Sequence, residues 1–443
     1  MKIIRSEDMN VTIRRLFSLL TGIIFISIGA RGQPQTDKFL KKLLLKNPDS
    51  VFQKVLANPL QYRVQIIYTQ INRNKNNQPA FTNYYFHHDP YLYFNPASTV
   101  KMPLAFLALE KINTLNKPGI NKFTTIQFDS AFERQVALTE DTTAAARLPT
   151  IAHFIRRAFL ISENDPYNRF YQFIGQGEIN RNLHDKGYPN TRITRQFMGF
   201  TYEQNRRTNP VRFIDSAGRV LYEQSMTYNA DTFDFSRPAK LGAGYMNRFD
   251  SLIHEPLDFT QHNNFPLFDQ QQILQSILFP LSVQEKRRFN LKPDDYAFLY
   301  RYLSQYPSET PYPYYDDSLF YDSYVKFFFR DSTHKMPQGV RVFNKVGWAY
   351  GFLTDVSYVV DFKNNIEYML AATIYVNEDG ILNDNKYEYE SIGHPFLYQL
   401  GKTIYQYELK RKRKLTPDLS AFSINYEQRN PADPRIKIRE VDN

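Results

Sequence analysis

Cysteine is absent from this 443-residue sequence, which excludes disulfides, thiolate catalysis, a cysteine-ligated metal and a lipid-anchored N-terminal cysteine in a processed chain. Histidine is scarce and scattered, eight in all, and no spacing among them suits a metal site. Tryptophan occurs once, at Trp348. No hydrophobic run reaches the roughly 20 residues that span a bilayer. The N-terminal run, residues 16–30, is preceded by Arg14 and Arg15 and followed by Arg31-Gly32-Gln33. That is the pattern of a secretory signal. Residues 1–33 are therefore expected to be a signal peptide, cleaved near residues 30–33, that exports the protein to the periplasm or the medium; an uncleaved anchor is the weaker reading. No internal repeat is visible.

Against these absences stands an abundance of aromatics, 32 Tyr and 36 Phe, within a hydrophobic content of 42%. Such a chain buries a large core, as one elaborated domain or two intimately joined ones, and its aromatic content argues against disorder. The net charge is +10, and residues 1–33 hold five basic and two acidic side chains, so about +7 remains after them. This mild bias suits peripheral association with an anionic cell envelope. Much of it sits in Lys410-Arg411-Lys412-Arg413-Lys414, read as the solvated end of a last helix followed by a loose tail, residues 410–443. Nothing else indicates a nucleic-acid partner.

Hydrophobic periodicity predicts helix over residues 37–58 with a break at Asn47-Pro48, then strands at 63–71 and 81–86. Helix is expected again from 97, over 141–160 and over 169–174. Residues 205–340 are the least informative, an expanded helical and loop insert with helical patterns at 268–278, 296–303 and 319–329. Strands follow at 341–345, 355–361 and 368–376, then a final helix over 394–410. Strands near both ends with helices between them imply an α+β fold, an antiparallel sheet assembled from both chain ends plus a helical subdomain. The expected main domain is 34–409.

Three short motifs carry chemistry. In Asn95-Pro96-Ala97-Ser98-Thr99-Val100-Lys101, Ser98 and Lys101 are three apart at a helix opening, so they share one face and the amine can reach the hydroxyl. Ile161-Ser162-Glu163-Asn164-Asp165-Pro166-Tyr167-Asn168 is a polar turn between two apolar helices, which by itself reads as a capped helix start. Lys345-Val346-Gly347-Trp348-Ala349-Tyr350-Gly351 places a cation and two glycines at a strand end, and the glycines mark a close backbone approach.

Together these residues resemble the class A serine β-lactamase and penicillin-binding-protein superfamily, known by Ser-x-x-Lys, Ser-Asp-Asn and Lys-Thr-Gly. Ser98 and Lys101 match the first motif, Ser162-Glu163-Asn164 the second, and Lys345-Val346-Gly347 the third with Val for Thr. The resemblance covers roughly residues 60–200 and 340–405 and implies a β-lactamase-like fold. It implies Ser98 as nucleophile, Lys101 as base, Ser162 as proton relay and Lys345 as partner of a substrate carboxylate. Asn164, Asn168 and Gly347 would line the substrate site, and the amides of Ser98 and Trp348 would form an oxyanion hole. No cofactor or metal is implied.

One departure bears on the outcome of the reaction. Where class A enzymes carry the Glu of an Arg-x-Glu loop, Arg195-Gln196-Phe197 offers an aromatic ring. Glu203 is the nearest substitute, although Arg206 and Arg207 could equally claim it as a surface ion pair. The reading is an exported, monomeric serine hydrolase acting through an acyl-serine on β-lactams or related amides, small molecules or peptidoglycan-derived. The alternatives are a penicillin-binding-like D,D-peptidase or esterase with slow deacylation, and a non-catalytic envelope-binding module.

Overall fold

The computed structural model describes residues 34–441; the expected export signal, residues 1–33, lies outside them. In chain order the elements that position the site begin with α1 (Lys38–Leu44) and α2 (Ser50–Ala57), separated at Pro48 as the sequence pattern predicts, with the Asp49 carboxylate accepting from the Phe52 amide to cap α2. Next come β1 (Gln65–Arg73), β2 (Pro79–Phe86) and α3 (Lys101–Leu115), then α4 (Ile151–Leu160), α5 (Asn164–Ile174) and α6 (Leu267–Leu278). The chain closes with β3 (Val340–Ala349), β4 (Phe352–Asp361), β5 (Ile366–Tyr375) and α7 (His394–Lys410).

The five strands form one antiparallel sheet in the order β3-β4-β5-β1-β2. The chain ends supply it, as expected. Because side chains alternate across a strand, the buried sequences of β4 and β5 serve two cores at once. Ile67, Phe343, Val356, Tyr358 and Met369 pack toward the helical side with α3, α5 and α6. Ile66, Val342, Val359, Leu370 and Ala372 pack on the other face with α1, α2 and α7. The sheet is thus covered on both faces, which is why β4 shows no polar alternation of the half-exposed kind.

Three stretches depart from the sequence pattern. Residues 141–149 are turns rather than helix; α4 begins only after Thr150, whose hydroxyl accepts from the His153 amide, because Pro149 precedes this cap. Residues 319–329 are turns with a single 3-10 segment at Phe327–Phe329. The insert also contains short strands, among them Val211–Ile214 paired with Val220–Gln224.

The C-terminal segment is not loose. Arg411 and Arg413 both bind the buried Glu408 carboxylate, which also accepts from the Tyr68 hydroxyl. Phe422 is 3% exposed among Phe279, Tyr300, Phe343 and Tyr358, and Ile438 exchanges backbone hydrogen bonds with Tyr314 and Asp316. The basic run is therefore partly a counterion set for an interior carboxylate, a role that only the folded partner reveals. Gln35 onward forms one contact unit, and no helix among the described residues is long and apolar enough to cross a membrane.

Candidate active site

Ser98 owes its position to the turn before it. The Asn95 side chain accepts from the Ala97 amide (2.8 Å), Thr99 Oγ1 donates to the Pro96 carbonyl (2.7 Å), and Ala97 is held at φ 44°. A non-glycine residue in that region is strained, and such strain gathers at functional sites. The 3-10 turn Ala97–Val100 then runs into α3, leaving Ser98 partly exposed while Lys101, one turn on, is fully buried. Lys101 Nζ lies 2.7 Å from Ser98 Oγ and 2.8 Å from Asn164 Oδ1, and also contacts the Ser162 carbonyl. Two of these neighbours can only accept. A neutral amine donating to both keeps its lone pair for the Ser98 hydroxyl proton.

The second motif is fixed from behind. Glu163 is bound by Arg157 (2.7 and 2.9 Å) and by the Tyr315 hydroxyl, with Ser162 at φ 72°. Ser162 Oγ accepts from Lys345 Nζ at 2.6 Å and lies 3.4 Å from Lys101 Nζ, so this hydroxyl bridges the two amines. Lys345 also donates to the Val346 carbonyl (2.9 Å).

Strand β3 brings the third motif in at the open edge of the sheet. Its hairpin with β4 turns on Tyr350 and Gly351, both at positive φ, as a tight two-residue hairpin requires. Ala349 and Phe352 therefore form the closing hydrogen-bonded pair, and the next pair, Trp348 with Leu353, is of the non-bonded kind. The Trp348 amide consequently faces away from β4. Its indole packs on the far side of the sheet against Tyr324 and Phe327. Gly347 has a physical reason as well: a Cβ there would sit 2.6 Å from the Pro96 carbonyl oxygen and 3.0 Å from the Ser98 amide nitrogen.

Burial, and then the Lys345 cation, hold the Lys101 pKa well below the ordinary 10.5, against a smaller opposing pull from Glu163. Burial likewise lowers Lys345; Asp355 opposes it and Lys326 adds to it. Those two groups stand behind β3. Lys326 Nζ donates to the carbonyls of Leu303 and Val342 and to Asn344 Oδ1, and Asn344 in turn donates to Asp355 Oδ1. Burial pushes Lys326 down to about 7 and Asp355 up to about 6. The floor of the site is a set of buried amines with few counter-charges.

Opposite this floor runs the loop containing Phe197. Its ring stacks on Tyr167 at 4.2 Å and stands 5.2 Å from Lys101 Nζ. Asn168, expected to contact substrate, is instead buried under this loop and accepts from the Phe197 amide (2.8 Å), so it braces the wall. Glu203 does not line the cleft. The Thr201 capping box starts a short helix, Tyr202–Asn205, that turns Glu203 outward, with 59% of its side chain exposed beside Arg206 (3.9 Å) and Arg207 (3.6 Å). The surface ion-pair reading of Glu203 is the one the geometry supports.

The cleft between the walls holds about 600 Å³. Ser98, Asn164, Phe197 and Trp348 line it, joined by Arg195, which the sequence marked only as the start of the Arg-x-Glu-like triplet, and by residues to which the sequence gave no role: His262, Asn383, Tyr387 and Tyr389. The polar run Gln261-His262-Asn263-Asn264, isolated just before the apolar α6, was the available signal for His262. Tyr389 is tied in by its hydroxyl, which accepts from the Gly351 amide at 2.8 Å. Among the described residues no group of three His, Asp or Glu is arranged to hold a metal ion.

This constellation can be set beside known proteins. Residues 51–226 match the sequence model of the family described as the β-lactamase enzyme family, a span that contains the Ser98 and Ser162 motifs. The match covers less than half of the chain, and over that span the sequence is similar to the β-lactamase enzyme family. Its similarity to solved structures is remote in sequence. A β-lactamase from Desulfarculus baarsii is 13% identical, with 81% of this chain and 96% of that one covered and a TM-score of 0.43. One from Burkholderia vietnamiensis is 12% identical, with 81% and 97% covered and a TM-score of 0.46. An ancestral class A β-lactamase is 11% identical, with 81% and 100% covered and a TM-score of 0.44. No curated protein sequence matches the chain significantly. The matched family model supports a hydrolase in general terms.

Proposed function

We propose that the protein is a serine hydrolase that attacks the carbonyl of a β-lactam or a related amide and becomes acylated on Ser98. The observation that carries this reading is the 2.7 Å contact between Ser98 Oγ and the amine of a wholly buried Lys101. Lys101 takes the hydroxyl proton as Ser98 attacks. Ser162, in contact with both lysines, passes a proton toward the leaving nitrogen. Lys345 meets the substrate carboxylate, Asn164 meets the amide side chain, and the amides of Ser98 and Trp348 hold the developing oxyanion, each donor contributing about 3 kcal/mol in comparable hydrolases. Export by residues 1–33 and a monomeric state belong to the same reading.

The placement of Phe197 and Glu203 favours a second clause, that hydrolysis of the acyl-enzyme is slow. Deacylation needs a base for water, and the wall facing Ser98 offers a ring where class A enzymes carry a carboxylate. This points to a penicillin-binding-like enzyme rather than an efficient lactamase. Purified protein mixed with a fluorescent penicillin and a chromogenic cephalosporin distinguishes the cases: a stable adduct on Ser98 is expected, with little turnover. Fast turnover sinks the slow-deacylation clause. No adduct and no turnover would return the chain to an envelope-binding role.

A further inference from the structure

Arg195 occupies an unusual electrostatic position. It lines the cleft, and among the described residues no acidic side chain lines it alongside. Its guanidinium hydrogen-bonds to His262 Nε2 at 2.7 Å, so one donor is engaged by a neutral ring and the others stay free for a ligand. His262 is kept unprotonated by burial and by Arg195 itself, its pKa pushed down to about 3. Asp258, whose field also reaches His262, is turned toward the Thr260 amide (2.8 Å). The contrast with Arg157, paired with Glu163 at 2.7 Å, is direct.

The pair is also built to stay in place. Asn263 Oδ1 accepts from the amides of Thr194 (2.8 Å) and Arg195 (3.0 Å), and the Tyr167 hydroxyl donates to the Arg195 carbonyl at 2.7 Å. The His262 ring stands edge-on to Phe259 at 4.9 Å, and Phe259 stands edge-on to Tyr350 at 5.2 Å. An arginine with no counter-ion among the described residues, fixed in the cleft, is a preorganised binding group for a carboxylate.

We propose that Arg195, held against His262, binds an acidic group of the substrate distinct from the carboxylate that meets Lys345, so that the enzyme selects amides or β-lactams bearing two carboxylates. The insert then has a function in the site, since His262 and Asn263 come from it. This proposal rests on the serine hydrolase reading for the identity of the cleft, and its test is independent of acylation. Binding of α-carboxybenzylpenicillin and of benzylpenicillin, which differ by one carboxylate, is measured calorimetrically on the Ser98→Ala protein. The carboxylated compound should bind about tenfold more tightly, as expected for a charge-assisted hydrogen bond. Adding Arg195→Gln should erase the preference while Arg195→Lys keeps part of it, with melting temperature as the check on folding. Equal affinities, no binding of either compound, or a preference that survives Arg195→Gln overturns the proposal. Mass spectrometry of the wild-type protein with benzylpenicillin decides acylation separately: an unmodified Ser98 beside an intact binding preference sinks the hydrolase reading and leaves the anion site standing.

Discussion

The two walls of the cleft differ in kind. On one, Ser98 lines the cleft and is backed by the buried Lys101, Ser162 and Lys345, the four linked by contacts of 2.6–3.4 Å. On the other, residues 195–203 present Phe197 to the cleft and turn Glu203 to solvent. In the proposed mechanism the first wall supplies the groups that make an acyl-serine, and among the described residues the second presents no carboxylate to the cleft that would help break it. The two half-reactions of a serine hydrolase thus depend on separate pieces of structure, and a chain can be complete for one of them alone.

The largest expected effect is on the acylating wall. Lys101→Arg should slow labelling of Ser98 by about a thousandfold or more, because a guanidinium cannot take the proton. Lys345→Arg keeps a cation for the substrate carboxylate and should chiefly raise KM, by about tenfold. Single-turnover labelling with a fluorescent penicillin measures both, and equal, mild losses would break the distinction between the two amines.

A gain should be obtainable on the other wall. Phe197→Glu supplies a carboxylate close to Lys101, and steady-state turnover should rise about tenfold or more while the acylation burst is little changed. Burst kinetics resolve the two phases; an unchanged slow phase would show that the missing carboxylate is not what limits deacylation.

The pH profile sharpens the comparison further. Lys101 must be neutral to act, and its pKa is lowered by burial and by Lys345. Acylation should therefore rise with pH through a midpoint well below 10.5 and be lost on the acid side of it as the amine gains its proton. Lys345→Gln removes the second cation and should move that midpoint upward. A midpoint near 10.5 in the wild type would mean that Lys101 is not the base. The smallest effect belongs to Glu203→Gln: exposed ion pairs contribute about 1 kcal/mol or less, and both kinetic phases should stay within about twofold of wild type.

What the sequence determined by itself is local. Ser98 and Lys101 are one helical turn apart whatever surrounds them, the β-forming stretches of β4 and β5 read as strands, and Gly347 and Gly351 mark where backbone must come close or turn left-handed. These features depend on neighbours within a few residues, so they were legible. Tertiary structure decided everything that joins distant segments. Asn168 reads as a substrate contact until the 195–199 loop is seen lying over it. Phe422 and Glu408 give the C-terminal segment a buried aromatic and a buried counter-charge that no periodicity in a polar, basic run can announce. His262 reaches Arg195 across 67 residues, and the charge balance that makes that arginine available exists only once the cleft is closed around it.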